Sequence, residues 1–213
     1  TKVNFPKLEK HTQEDSNSIA LIRLITRIIF IWFMKERKLI PNNFFKKDYL
    51  NTILKFEDTN ESTYYKAILQ NLFFATLNQE KDKRDFRKDN GNYNATTLYR
   101  YKKYLTNSKN EVLKIFKVIP FLNGGLFDPI NNYDWVHTDI LLSNKLFSNK
   151  NRTKEGDLGD GILDVFDRYN FTVKEDEPLE KEVAVDPEML GKVFENLLEV
   201  KDRKSKGTYY TPR

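Results

Sequence analysis

Apolar residues along most of this chain recur at helical spacing rather than in strict alternation. The densest run lies between Ile19 and Met34. There Ile19, Leu21, Ile22, Leu24, Ile25, Ile28, Ile29, Phe30, Trp32 and Phe33 leave a narrow polar strip holding Arg23 and Arg27. The run predicts a helix capped by Asp15, Ser16 or Ser18, reaching about Lys38 and stopped by Pro41. Apolarity nearly all round predicts a buried, central position for it. Arg23 and Arg27, one turn apart, could grip a carboxylate or a phosphate. The plainer reading is that they snorkel or pair with acidic residues.

Further along, Phe44 to Leu54 reads as a short helix with Phe45, Tyr49, Leu50 and Ile53 turned inward. Thr63 to Leu77 is the second strong helix. Tyr64, Ile68, Leu72 and Ala75 share one face, with Tyr65, Leu69, Phe73, Phe74 and Leu77 beside them. Asn78 to Asn94 is a polar, basic and mobile loop. Glu111 to Val118 reads as a short helix or strand, and Ile162 to Tyr169 as a helix. Phe171 to Val173 reads as a short strand, and Glu175 to Glu182 as an acidic linker. The last helix has the clearest start: Asp186 can cap it, Pro187 suits its first turn and Glu188 complements its dipole. Leu190, Val193, Phe194, Leu197 and Leu198 then share a face. These elements predict a mainly α fold, an irregular multi-helix domain with at most one or two short strands and no Rossmann-like sheet. Residues 1–185 form the helical domain in this reading, and 186–213 a helix and linker leading out of it.

Composition changes this picture little. The 213 residues are 39% hydrophobic and 14% aromatic, enough to bury a core despite 31% charge. There is no cysteine, which excludes disulfides and thiolate metal sites, and the two histidines, His11 and His137, stand far apart. No signal peptide is visible, and the Ile19–Met34 run is short for a membrane span and carries two arginines. The expectation is a cytoplasmic protein with no membrane partner.

Charge is more informative. The formal net charge is +5, and the cations are clustered. Lys81, Lys83, Arg84, Arg87 and Lys88 fill the polar loop, while Tyr99-Arg100-Tyr101-Lys102-Lys103-Tyr104 interleaves aromatics with cations. Such mixing suits a surface that tracks a nucleic-acid backbone and stacks bases. It equally suits an ordinary amphipathic helix with tyrosines half buried and lysines solvated. Arg84, Arg87, Arg100, Lys102 and Lys103 are the candidates for DNA-backbone contact.

Catalytic motifs are missing. The sequence holds no P-loop, Gly-x-Ser-x-Gly or His-Glu-x-x-His. The glycines of Gly156-Asp157-Leu158-Gly159-Asp160-Gly161 have the wrong spacing for a dinucleotide loop, and no hydrophobic strand precedes them. Asn123-Gly124-Gly125, in a turn between Pro120 and Pro129, could cradle a phosphate, although a packed turn is the commoner use. Acid-x-Lys triplets, as at Glu36-Arg37-Lys38, Glu199-Val200-Lys201 and Asp202-Arg203-Lys204, arise by chance in so charged a chain. No residue is assigned a catalytic or metal-binding role.

The stretch Asp186-Pro187-Glu188-Met189-Leu190-Gly191-Lys192-Val193-Phe194-Glu195-Asn196-Leu197-Leu198, followed by Gly207-Thr208-Tyr209-Tyr210-Thr211-Pro212, carries a resemblance. It resembles the junction in large bacterial adenine-specific DNA methyltransferases, in particular the single-chain type IIG restriction–modification enzymes. Arg27 to Met34 with Leu39-Ile40-Pro41, Leu69 to Asn78, Ile119 to Phe127 and Arg168 to Thr172 extend the likeness over most of the chain. The resemblance implies a helical connector preceding a methyltransferase domain that would continue beyond Arg213. Gly207 to Pro212 would then be similar to motif X, with Tyr209, Tyr210, Thr211 and Pro212 helping to hold S-adenosylmethionine. It also implies double-stranded DNA as the parent's partner. The motif that binds a flipped adenine is not among these residues, so this chain alone is expected to be inactive. The rival readings are a helical protein-interaction module with no nucleic-acid role, and a divalent-metal nuclease domain.

Overall fold

A computed structural model describes residues 5–54, 56, 60–88, 97–106, 109–122, 125–129, 135 and 138–168. The elements predicted at Phe171–Val173, Glu175–Glu182 and Asp186–Leu198 lie outside the described residues. What is described is mainly α. Helix α1 spans Gln13–Glu36, α2 Lys47–Ile53, α3 Lys109–Val118 and α4 Ile162–Arg168. Between α2 and α3 runs a central helix, wound as π-helix over Tyr64–Gln70 and Phe73–Leu77. Among the described residues, extended pairing is confined to isolated bridges, such as Leu54 with Leu105 and Phe86 with Tyr99.

Helix α1 starts earlier than expected. Its cap is Thr12, whose hydroxyl accepts the Asp15 N–H while the Asp15 carboxylate accepts the Thr12 N–H, a reciprocal capping box. Asp15 is thus the third helical residue rather than the cap. Its other end is closed before Pro41. The Leu39 N–H donates to Met34 O at 2.8 Å and the Lys38 N–H to Lys35 O at 2.9 Å, with Lys38 left-handed at φ 58°. This is a Schellman termination with lysine where glycine is usual.

The buried centre is the second helix, not the first. Leu21 (48% exposed) and Ile25 (37% exposed) on α1 face outward, whereas every residue of the two π-helical segments is buried. At 24 residues α1 is long and apolar enough to cross a membrane by length and composition. Its other side nevertheless carries Ile28, Ile31, Trp32 and Met34 into the core. Arg27 is buried with them. Its guanidinium donates to Leu126 O at 2.7 Å and to Asp128 O, and lies over the Phe73 and Phe74 rings. The arginine therefore grips backbone carbonyls. Phe44 to Leu54, predicted as one helix, is a 3₁₀ turn at Asn42–Phe45 followed after Lys46 by α2.

Asn144 fixes the start of the central helix. Its side-chain oxygen accepts the Tyr64 N–H at 3.1 Å, while its amide donates to Phe56 O and to the Thr63 hydroxyl. Capping by a residue 80 positions away ties the C-terminal third to the middle of the fold.

Asp164 organises the end of the described chain. Its carboxylate accepts hydrogen bonds from the Ser148 hydroxyl and from the N–H groups of Asn149 and Gly161, and pairs with Lys47 at 2.6 Å. The three glycines before it have structural roles here. Gly156 and Gly159 take positive φ, and a Cβ on Gly159 would stand 2.6 Å from the Asp164 carboxyl carbon. A Cβ on Gly161 would meet the Phe147 backbone at 2.5 Å. Burial alone would raise the Asp164 pKa, but the Lys47 ammonium and the three hydrogen-bond donors outweigh it and hold the carboxyl below its usual value. A depressed folded-state pKa stabilises above the unfolded value, about 3.9, and that contribution is lost as pH falls through the folded value. Asp164→Asn is expected to lower stability at pH 7 by about 2 kcal/mol. The variant should also lose less stability than the parent below about pH 4. Urea unfolding between pH 7 and pH 2.5 measures both; parallel curves would rule out this carboxylate as an acid-sensitive tie.

Candidate nucleic-acid interface

The aromatic and basic segment 99–104 is held in place by Asn71. The Asn71 side-chain oxygen accepts the Arg100 N–H at 2.8 Å, and its amide donates to Arg100 O at 2.8 Å. A single side chain thus supplies both halves of a strand-like pairing, from a helix that has no solvent face. On either side the backbone is tied by Tyr99 N–H to Asp85 O, Arg87 N–H to Tyr99 O and Thr106 N–H to Ile53 O.

With the backbone so fixed, the side chains separate by depth. Tyr99 is buried, stacked on Phe116 at 4.9 Å, and its hydroxyl accepts from Thr76. Burial pushes its pKa up to about 12. Arg100 is also buried, its guanidinium 5.4 Å from the Trp135 ring centre. Tyr101 is left-handed at φ 62° and ψ 30°, a conformation that costs a non-glycine residue about 1–2 kcal/mol. The bend starts a 3₁₀ turn, Lys102–Tyr104, and brings the Tyr101 and Tyr104 rings into a stack at 5.8 Å. Lys102 and Lys103 are exposed on that turn, with the Lys103 ammonium 5.1 Å from the Tyr104 ring centre. Behind the stack, Lys66 pairs with Asp139 at 2.5 Å and lies 5.9 Å from the Tyr101 ring centre. Burial, reinforced by the Asp139 carboxylate, raises the Tyr101 pKa to about 12, so its hydroxyl remains protonated at neutral pH.

The segment is therefore not a helix, although its tyrosines at 101 and 104 are half buried and its lysines solvated. The five cations singled out from the sequence also divide. Arg84 is interior: its guanidinium donates to Gln79 O, Phe116 O, Ile119 O and Thr76 O at 2.7–2.9 Å. It bonds carbonyls at the ends of the central helix and of α3, of which Thr76 O and Phe116 O also accept a backbone N–H. Arg100 is interior as well. Arg87 is half buried, and only Lys102 and Lys103 stand fully at the surface. Neither Asn144 nor Asn71 was singled out from the sequence, since a single asparagine carries no sign of a distant partner. Tyr209, Tyr210, Thr211 and Pro212 lie outside the described residues, as do Asn123 and Gly124. Among the described residues, no group of three or more histidines or acids could hold a metal ion.

Comparison with known proteins gives the segment its context. The chain is 29% identical over 209 residues to a protein of Methanocaldococcus jannaschii named "Putative type II restriction enzyme and methyltransferase". The match covers 95% of this chain but only 14% of the length of that relative. The similarity supports a restriction–modification relationship. No protein-family model matches the chain, and no solved structure does.

The division of cations predicts two distinct phenotypes. Arg84→Ala removes a charged donor from four carbonyls, three of them in buried hydrogen bonds, and is expected to cost about 3 kcal/mol of stability. Lys102→Ala with Lys103→Ala should change stability by no more than about 0.5 kcal/mol, as exposed substitutions do. Chemical denaturation of both variants decides; equal losses would contradict the assignment of inner and outer roles.

Proposed function

We propose that this chain is the helical connector of a restriction–modification DNA methyltransferase. Residues 1–185 form the connector in this reading, and 186–213 lead into a methyltransferase domain beyond Arg213. The parent would be a cytoplasmic type IIG-like enzyme that transfers a methyl group from S-adenosylmethionine to adenine N6 in double-stranded DNA. The observation that carries the proposal is the near end-to-end likeness to a far longer relative whose name joins restriction and methyl transfer. The sequence from Gly207 to Pro212 supports the finer reading, because it resembles the element that opens this class of methyltransferase domain. Tyr209 and Tyr210 would pack against the cofactor, the Thr211 hydroxyl would hydrogen-bond its methionine end, and Pro212 would bound the turn. This chain contributes no catalytic residue to methyl transfer.

The cofactor part is tested on the protein extended past Arg213. Tyr210→Ala with Thr211→Ala should weaken S-adenosylmethionine binding at least tenfold by calorimetry. Unchanged affinity in a folded variant would remove motif X from this position.

The connector would also touch the DNA backbone. Lys102 and Lys103 are its exposed candidates, with Arg87 behind them, while Arg84 and Arg100 shape the surface from inside. Each phosphate contact contributes about 0.9 to the slope of log affinity against log salt. Lys102→Ala with Lys103→Ala is therefore expected to flatten that slope by roughly 2 in the DNA-binding parent. An identical slope would place the DNA elsewhere and favour a connector that acts only as a protein-interaction module.

A further inference from the structure

Lys66 brings a further positive charge to the turn at 102–104. Its side chain, on the central helix, is only 6% exposed, yet its ammonium meets the carboxylate of Asp139, whose side chain is 66% exposed, at 2.5 Å. A single carboxylate therefore separates this buried charge from solvent. The same ammonium lies 5.9 Å from the Tyr101 ring centre, and Tyr101 stacks on Tyr104 beside the exposed Lys102 and Lys103. Asp139 also acts on the Tyr101 hydroxyl, whose pKa burial and this carboxylate together raise to about 12. The backbone beyond Asp139 is held independently of the ion pair. Three residues on, the Leu142 N–H donates to the Ser62 hydroxyl at 2.9 Å, and the Asn144 N–H donates to Glu61 O at 2.7 Å.

On the reading that the turn meets DNA, we infer that Asp139 holds the place of a backbone phosphate, which displaces the carboxylate from Lys66 on binding. A buried ammonium left without an anion loses solvation and partner together, so it passes from one anion to another rather than standing open. Asp139, already two-thirds in water, loses little on release, and ion pairs with an exposed partner are weak. Folding has already stripped Lys66 of its water, so an incoming phosphate gains a charge-assisted donor without that cost. Release needs a turn of the Asp139 side chain, with the backbone still tied at Leu142 and Asn144. The carboxylate screens Lys66 from stray anions, and a polyanion held at Lys102 and Lys103 competes with it best.

The test is a double-mutant cycle in the DNA-binding parent, read as DNA affinity against salt. Asp139→Asn removes the competitor and should tighten DNA binding roughly fivefold, the upper range for such a pair. In a Lys66→Met background most of that gain should vanish. Lys66→Met alone should flatten the slope of log affinity against log salt by about 0.9, the share of one phosphate contact. An equal gain from Asp139→Asn in both backgrounds would mean that the acid only repels DNA at a distance, and would overturn the inference. So would a slope untouched by Lys66→Met. That variant keeps the stem and drops the charge, so the slope is readable even if Asp139→Asn, which strands the ammonium, fails to fold. If Lys102→Ala with Lys103→Ala leaves the slope unchanged, the DNA contact at this turn falls and the role of Lys66 with it. If that pair flattens the slope and Lys66→Met does not, only the role of Lys66 falls.

Discussion

A helix with no solvent face must find partners inside the protein for its polar groups. In this protein that requirement, met by hydrogen bonds or ion pairs for Lys66, Asn71 and Thr76 though not for the Gln70 amide, decides where much of the chain goes. The central helix contains Lys66, Gln70, Asn71 and Thr76, all buried. Asn71 turns outward from the helix axis and pairs with the backbone of Arg100. Thr76 donates to Tyr99 and offers its carbonyl to Arg84, and Lys66 reaches the carboxylate of Asp139. At the start of the helix, Asn144 supplies the cap. Each tie fixes a loop that has little regular structure of its own. The fold is thus a set of irregular segments drawn onto one helix by its polar side chains, within an apolar shell of Phe44, Phe45, Phe116, Phe127, Trp135 and Phe147. Breaking one tie leaves a buried group without a partner, so the arrangement is specific as well as stable.

Arginine plays the same part from the other direction. Arg27 and Arg84 are both buried and bind backbone carbonyls. The ends of short helices and 3₁₀ turns expose more carbonyls than the backbone can satisfy, and a guanidinium with five donors closes several at once. A chain built from short elements has many such ends. Part of its basic composition therefore answers an internal need and says nothing about a partner.

This explains what was legible in the sequence. Helical periodicity located α1, α4 and the central helix, because apolar spacing follows directly from burial of one face. The same periodicity misjudged which helix is central. Ile19 to Met34 is the more apolar stretch, yet Leu21 and Ile25 face outward, while the less apolar 63–77 is buried because Asn71, Thr76 and Lys66 find partners far along the chain. Those partners are 29, 23 and 73 residues away, beyond any local pattern. The glycines at 156, 159 and 161 were read correctly as something other than a dinucleotide loop. Gly159 makes room for Asp164 and Gly161 for the Phe147 backbone, packing contacts that spacing does not encode, while Gly156 supplies only a positive φ. Tyr101 was visible as one member of an aromatic and basic run, but its left-handed backbone was not.

The candidate surface at 99–104 is smaller and better defined than the local sequence suggests. Cations that satisfy internal carbonyls are spent, and the segment 99–104 is pinned from below by Asn71, Tyr99 and Arg100. Of the five cations singled out from the sequence, the two that project are Lys102 and Lys103, on one turn beside a stacked tyrosine pair. Its strain at Tyr101 is sustained because the backbone on both sides is tied to buried groups, and strain held in this way orients side chains before any partner arrives. Lys102 and Lys103 carry the charge, with the Lys103 ammonium beside the Tyr104 ring. A phosphate backbone meeting this turn would encounter two adjacent cations, whereas a partner that depends on apolar contact would find little to bury there.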